Sequence, residues 1–373
     1  MKRREFVGGL AVAAGLTACG GDPGADHGNA AGSADASRQE RHRWNMVTSW
    51  PPGLPGLGTG AEKFAADVER ASAGRLTIKV FAGGELVPAL EVFDAVSRGA
   101  AHIGHDPAYY HRGKVPAAQY FTCIPFGQNA NEINAWVYYG GGLALWQELY
   151  ADFNLLPFPI GQTGVQMAGW FNKEIRSVAD LVGLKMRIPG LGGEVMQRAG
   201  VTQVTVPASE IFTSLQSGAI DAAEWVGPYN DVSLGLHRVA RYYYYPGWHE
   251  PGPMIECIIN KDAWNALPED LQEIVKVCCR AANLDTQAEY TYGNAMALEQ
   301  LSRDPNVEIR PLPDDVLALL KRISREVIEE LSARDPWSAR VQKSFDEFQA
   351  RSIANQLISE QAFLNARSDR PRI

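Results

Sequence analysis

The strict alternation of strand-like and helix-like segments between Trp44 and Trp225 constrains this chain most. A short apolar segment starts at Trp44 and ends at Pro51-Pro52; a helical face with Phe64 and Val68 follows and stops at Gly74. Thr59 and Glu62 have the spacing of a capping box, in which two side chains three residues apart satisfy orphan amides of the first turn. Leu76, Ile78 and Val80 alternate as a strand does, Leu90, Phe93 and Val96 repeat as a helix does up to Gly99, and Ala101 to Gly104 follows as a strand. Parallel strands need a long crossover, usually a helix, so this order predicts a parallel sheet.

A second unit repeats the logic. A helical pattern from Asn129 to about Tyr150 is broken at Gly140 to Gly142. Strands are predicted over Val165 to Phe171, Leu184 to Ile188, Val201 to Val206 and Ile220 to Trp225, with a helix over Glu210 to Gln216. Tyr242 to Tyr245 reads as a half-buried strand or a subunit contact. The last third is mainly helical, from Trp264 to about Leu301 and from Asp314 to Phe363. The predicted fold class is two-domain α/β with long C-terminal helices. The first domain takes 44–165 and a later segment near 226–255, the second takes 166–225 and about 256–310, and 311–373 is a helical region that braces both domains or reaches a second subunit.

With 373 residues, 46% of them apolar, the chain can bury a sizeable core. Its 43 acids against 35 bases give a formal charge of −8, the wrong sign for a surface that neutralises phosphates, so nucleic acid is not an expected partner. Residues 1–18 read as an export signal: Lys2, Arg3 and Arg4 precede an apolar stretch from Val7 to Leu16, and Leu16-Thr17-Ala18-Cys19 resembles a lipoprotein cleavage site. Arg3-Arg4-Glu5-Phe6-Val7 also resembles a twin-arginine signal. Residues 19–43 read as a flexible tether rich in Gly, Ala, Asp and Ser, so the expected location is the periplasm, with a lipid anchor on Cys19. No apolar run approaches the roughly 20 residues that span a bilayer. Cys123, Cys257, Cys278 and Cys279 show neither a disulfide framework nor zinc spacing and are expected as buried small residues.

The chemistry concentrates between Asp221 and Glu250, where Glu224 adjoins Trp225 and Glu250 follows a Pro-Gly turn. Carboxylates in apolar company need a partner, and a cation is the obvious candidate. His102, His105, His111, His237 and His249 have no metal-ligand spacing, and Gly140 to Gly142 lacks the lysine of a phosphate loop.

Val206 to Trp225, read V-P-A-S-E-I-F-T-S-L-Q-S-G-A-I-D-A-A-E-W, is similar to the signature region of the substrate-binding proteins of TRAP transporters, the DctP family. Thr48-Ser49-Trp50-Pro51, Gly83 to Pro88, Lys185 to Glu194 and Gly247-Trp248-His249-Glu250 match further blocks, most closely those of the TakP-like branch that binds 2-oxo and 2-hydroxy monocarboxylates with a cation. The resemblance spans about Trp44 to Phe348. It implies a two-domain fold of the periplasmic-binding-protein type with a central cleft, no enzymatic activity, a membrane permease as partner and C-terminal helices that form a homodimer. It further implies that Arg187 holds the substrate carboxylate, while Gln166, Glu224, the Trp225 backbone carbonyl and Glu250 hold a cation that the small organic acid anion also chelates. Trp50, Tyr109 and Tyr110 sit at segment ends where a cleft wall could be.

The residue types agree with those roles. A guanidinium forms two parallel bonds to one carboxylate, but such a contact contributes only about 1.5–3 kcal/mol net against the roughly 8 kcal/mol of a micromolar ligand. A cation bridging the carboxylate and the neighbouring 2-oxo or 2-hydroxyl oxygen would supply the remainder, and an all-oxygen ligand set suits a hard ion. Charge counting over Glu224, Glu250, Arg187 and a monoanion favours calcium; the resemblance favours sodium with a 2-oxo acid such as pyruvate, and calcium with a 2-hydroxy acid such as lactate in a related branch. Sodium is the first expectation. Each residue also has a plainer reading: Arg187 as a structural salt bridge to Glu210 or another acid, the glutamates as ion-pair partners, Gln166 as an exposed strand residue and Trp225 as core. A tethered ligand sensor and, more remotely, a metal-dependent 2-oxo acid enzyme are the alternative functions.

Overall fold

The computed structural model describes residues 40–368. The predicted signal 1–18, Cys19 and the tether up to residue 39 lie outside the described residues. The tether's expected end at residue 43 is corrected, because His42 and Arg43 already pair with Leu76 and Thr77 in a parallel ladder.

Among the described residues eleven strands form two sheets. They are β1 His42–Thr48, β2 Leu76–Phe81, β3 Ile103–Asp106, β4 Leu155–Gln162, β5 Gly169–Phe171, β6 Lys185–Arg187, β7 Thr202–Val204, β8 Ala222–Ala223, β9 Tyr242–Tyr245, β10 Met254–Asn260 and β11 Glu308–Pro311. The first sheet has the order β2-β1-β3-β10-β4, with β1 parallel to both β2 and β3 as the alternation requires, and β10 antiparallel to both of its neighbours. The second has the order β11-β9-β5-β8-β6-β7. The returning segment sorts differently from the expected boundaries: β9 pairs with β5 and β11 in the second sheet, and β10 pairs in the first.

Local chemistry explains most boundaries. Pro157 and Pro159 lie in β4, an edge strand, where missing amides are tolerated. The first helix, Gly58–Ala71, lacks the expected capping box: Thr59 Oγ1 instead accepts from the Gly56 amide at 2.9 Å, tightening the preceding turn. A true box caps Ala130–Tyr139, where Asn129 accepts from the Asn131 and Glu132 amides and Glu132 accepts from the Asn129 amide. That helix ends at Gly140, and Gly142–Tyr150 starts anew after Gly141 at φ +87°, a left-handed conformation that glycine adopts without strain.

Two helical pieces tie the halves together. Glu269–Ser302 is a single helix of 34 residues; Asn283 Nδ2 donates to Asn134 Oδ1 at 2.7 Å and Tyr290 Oη to Asn230 Oδ1 at 2.6 Å. Asp314–Arg334 packs on Gly190–Arg198, with Glu330 accepting from Arg198, whereas Pro336–Ile358 seats Phe345 edge-on against Trp136 and Tyr120. The C-terminal helices thus brace both sheets. Their last turns leave Leu357, Ile358, Phe363 and Leu364 exposed. Among the described residues no helix is long and apolar enough to cross a membrane.

Candidate functional site

Arg187 ends β6, which lies between β8 and the edge strand β7 of the second sheet, and its side chain is 1% exposed. Such a charge needs partners on every side. Nη1 donates to the Glu224 carbonyl at 3.1 Å and also to Glu224 Oε1; Nε donates to the Val206 carbonyl at 3.3 Å, and Nη2 to Tyr110 Oη at 3.3 Å. The guanidinium lies 5.1 Å from the centre of the Trp225 ring, a cation–π contact. Burial works against the Arg187 charge, but Glu224 and the two tyrosines hold its pKa above the ordinary guanidinium value. The plainer reading of Arg187 as a salt bridge is therefore partly realised, with Glu224 rather than Glu210 as the acid.

Glu224 is placed by the continuation of β8, where its amide donates to the Arg187 carbonyl at 3.2 Å. Its second oxygen, Oε2, lies 3.2 Å from His249 Nε2. Glu250 follows His249 on the loop after β9, and ligand atoms of Glu224, His249 and Glu250 lie within 4.8 Å of one another. Burial pushes the Glu250 carboxyl well above its usual range, the Glu224 charge adds to this, and Arg187, Tyr109 and Gln166 oppose it.

Gln166 was predicted within a strand, but β5 starts only at Gly169. The reason is that its backbone bonds to the 247–250 loop: the Gln166 amide donates to the Glu250 carbonyl at 3.1 Å, and its carbonyl accepts from Gly247 at 2.9 Å. That approach requires glycine, since a Cβ at Gly247 would lie 2.2 Å from the Gln166 carbonyl oxygen. Gln166 is 5% exposed, so the reading as an exposed strand residue fails.

All of the candidate residues converge. Tyr109 lies close enough to the Glu250 carboxyl to oppose the rise in its pKa, and Tyr109 and Tyr110 meet edge-on at 5.1 Å. Burial raises Tyr110 to about 12 against the pull of Arg187, and burial with the Glu250 charge raises Tyr109 well above the ordinary phenol value. Trp50 crosses Trp225 edge-on at 6.2 Å, so it reaches the cluster through that ring. The residue missed from sequence is His249. Its only signal was its place in the Trp-His-Glu run, because ligand spacing along a chain says nothing about a partner 25 residues away.

A cation fits these residues. Gln166 Oε1 and Glu250 Oε2 are buried without a hydrogen-bond partner, and both are hard oxygen donors. Two such buried oxygens without partners are costly, and a cation held by Gln166 and Glu250 would serve both.

The comparisons with known proteins agree on the family. Residues 46–335 match the model for DctP, the bacterial extracellular solute-binding proteins of family 7. The monocarboxylate 2-oxoacid-binding periplasmic protein of Nostoc sp. (strain PCC 7120) is 44% identical over 365 residues, 98% of each chain. Two solved structures of TRAP periplasmic solute-binding proteins are each 40% identical, covering 88% of this chain and all of the other. The one from Colwellia psychrerythraea, with bound calcium and pyruvate, has a TM-score of 0.85, and the one from Pseudoalteromonas atlantica T6c, with bound sodium and pyruvate, has 0.86. This chain belongs to the DctP family of TRAP-transporter solute-binding proteins, which are extracytoplasmic binding components of transport systems.

Proposed function

We propose that the protein binds a 2-oxo monocarboxylate such as pyruvate, together with a cation, and delivers it to the membrane permease of a TRAP transporter. Arg187 takes the substrate carboxylate, and Gln166, Glu224, the Trp225 carbonyl and Glu250 hold the ion, which also contacts the 2-oxo oxygen. Trp50, Tyr109 and Tyr110 wall the site. The observation that carries this reading is the pair of buried oxygens without partners, Gln166 Oε1 and Glu250 Oε2, beside a fully buried guanidinium. The 2-oxoacid-binding relative and the two pyruvate-bound neighbours support the choice of cargo.

Sodium is the proposed ion. Arg187 already balances the charge of Glu224, so among the ion's ligands Glu250 is the carboxylate whose charge is left uncompensated by the protein. With the substrate anion counted, the charges favour calcium; sodium is preferred on the resemblance and on the neighbour that holds sodium with pyruvate. The calcium-bound relative keeps calcium as the competing outcome, and a 2-hydroxy acid as the competing cargo. Binding proceeds without turnover of the ligand. The exposed Leu357, Ile358, Phe363 and Leu364 are proposed to pack on a second copy, which sedimentation at rising concentration would detect. Cys19 is proposed to carry the lipid anchor, which mass spectrometry of the mature N-terminus would check.

The cargo is tested by calorimetry with pyruvate, lactate and propionate. Propionate lacks the second chelating oxygen and should bind about ten- to a hundredfold more weakly than pyruvate, the loss of roughly 1.5–3 kcal/mol expected for one contact to a charged group. Equal affinity for propionate would reject chelation.

A further inference from the structure

Inside the first sheet, away from Arg187, a second set of ligand-bearing side chains converges. Asp106 ends β3, Glu256 lies opposite it on β10, and His111 closes the turn that carries Tyr109 and Tyr110. All three are buried, and one ligand atom of each lies within 4.8 Å of the others. Like charges directly opposite on paired strands repel. Among the described residues the only basic side chain in ion-pair range of either carboxylate is His111 itself.

The hydrogen bonds determine which lone pairs are left over. The Tyr150 hydroxyl donates to Glu256 Oε2 at 2.9 Å and lies 2.6 Å from His111 Nε2. Because that hydroxyl proton is directed at Glu256, Nε2 must be the donor of the imidazole, and Nδ1 carries the lone pair. Nδ1 lies 3.9 Å from Asp106 Oδ2. Three atoms then have no hydrogen-bond partner: His111 Nδ1, Asp106 Oδ1 and Glu256 Oε1. All three are acceptors; the nearest donor, His111 Nε2 at 3.4 Å from Glu256 Oε1, gives its proton to Tyr150.

A cation serves all three atoms at once. A single proton bridging the carboxyls would leave the imidazole lone pair unserved and one negative charge in the core. A divalent ion cancels both charges and is reached by all three side chains. Imidazole with two carboxylates is a mixed nitrogen and oxygen set, which favours a borderline transition ion over sodium, magnesium or calcium. We propose that Asp106, His111 and Glu256 form a buried site for a divalent cation of the zinc class. Tyr150 is its positioning residue, fixing the His111 tautomer as outer-shell partners of metal-bound histidines do. Bound there, the ion ties β3 and β10 to the turn that carries Tyr109 and Tyr110. Because its ligands are buried, binding of the ion is coupled to folding.

The test uses the full chain, refolded with excess zinc or cobalt(II) and then dialysed, with metal content read by plasma mass spectrometry and cobalt binding by visible absorption. About one zinc-class ion per chain should remain, and cobalt should show the absorption of a nitrogen- and oxygen-ligated ion. Glu250→Gln, which alters only the Arg187 site, should retain both signals, so the result does not depend on the proposed cargo. Tyr150→Phe keeps the ring packed on Phe93 and should weaken zinc about 10- to 100-fold in competition with a chromophoric chelator. His111→Gln should hold no ion. Wild-type protein that folds, retains no zinc and gives no cobalt absorption would overturn the site and assign the cluster to a shared proton. So would zinc that disappears in Glu250→Gln.

Discussion

Two buried clusters in this molecule face the same electrostatic problem and answer it differently. Around Arg187, two glutamates are buried beside a guanidinium that takes one of them, Glu224, and leaves Glu250 with an unserved oxygen. Around Asp106, two carboxylates meet against an imidazole and a phenol. The difference is one of strand geometry. The Arg187 site adds Gln166 and Glu250, which lie outside the strands, to the ends of the paired strands β6 and β8. The Asp106 cluster lies between two hydrogen-bonded strands and a turn, so whatever ion it holds is enclosed at folding. A third buried acid, Asp231, shows the solution without any cation: Trp170 Nε1 donates to it at 3.0 Å, Tyr243 Oη at 2.7 Å and the Val226 amide at 3.3 Å.

The sharpest way to break the contrast is to remove the guanidinium. Arg187→Ala should abolish pyruvate binding in calorimetry, a loss of about 3–5 kcal/mol for one partner of a buried charged pair, or roughly two to three orders of magnitude in affinity. Arg187→Lys should retain a weakened remnant, since it keeps charge without the planar fork. Unchanged affinity in the alanine variant would remove Arg187 from the site.

Next in size is Glu250→Gln. Its pyruvate affinity should fall at least tenfold, about 1.4 kcal/mol, and should no longer respond to sodium; a variant that still responds would place the ion elsewhere. Gly247→Ala should act in the same direction by a smaller factor. The new methyl would push the Gln166 backbone away, so sodium affinity should drop while pyruvate measured at saturating sodium changes little.

The smallest effect concerns the acid without a cation. Burial raises Asp231 to about 7 against the donors that oppose it, whereas an unfolded aspartate titrates near pH ~3.9. Between those values the folded chain binds more protons than the unfolded one, so this group's contribution to stability falls as pH rises from about 4 to about 7 and is flat above. Asp231→Asn should remove that slope from a melting-temperature profile. A profile identical to wild type would show that the three hydrogen bonds keep Asp231 ionised throughout.

The part of the molecule legible in the sequence is the part governed by local patterns. The alternation of Leu76, Ile78 and Val80 and the helix break at Gly140 to Gly142 correspond to real elements, because burial on one face imposes those periods. Strand β4 escaped notice because Pro157 and Pro159 disguise it, and β10 because every residue from Met254 to Asn260 is buried and no alternation remains. At the site, the positions of Arg187, Glu224 and Glu250 were readable from motif blocks. Their pairing was not, since the Arg187–Glu224 contact and the 3.2 Å approach of His249 arise only when β6, β8 and the 247–250 loop come together. The Asp106 cluster gave no signal for the same reason: its three side chains lie on three separate elements.

The central claim, that one cavity holds the anion through both a guanidinium and an ion, is tested most directly by titrating pyruvate into chelator-dialysed protein in sodium buffer and in choline buffer. The account predicts micromolar binding with sodium and at least a tenfold weaker affinity without it. Equal affinity in both buffers, with no divalent ion present, would contradict it.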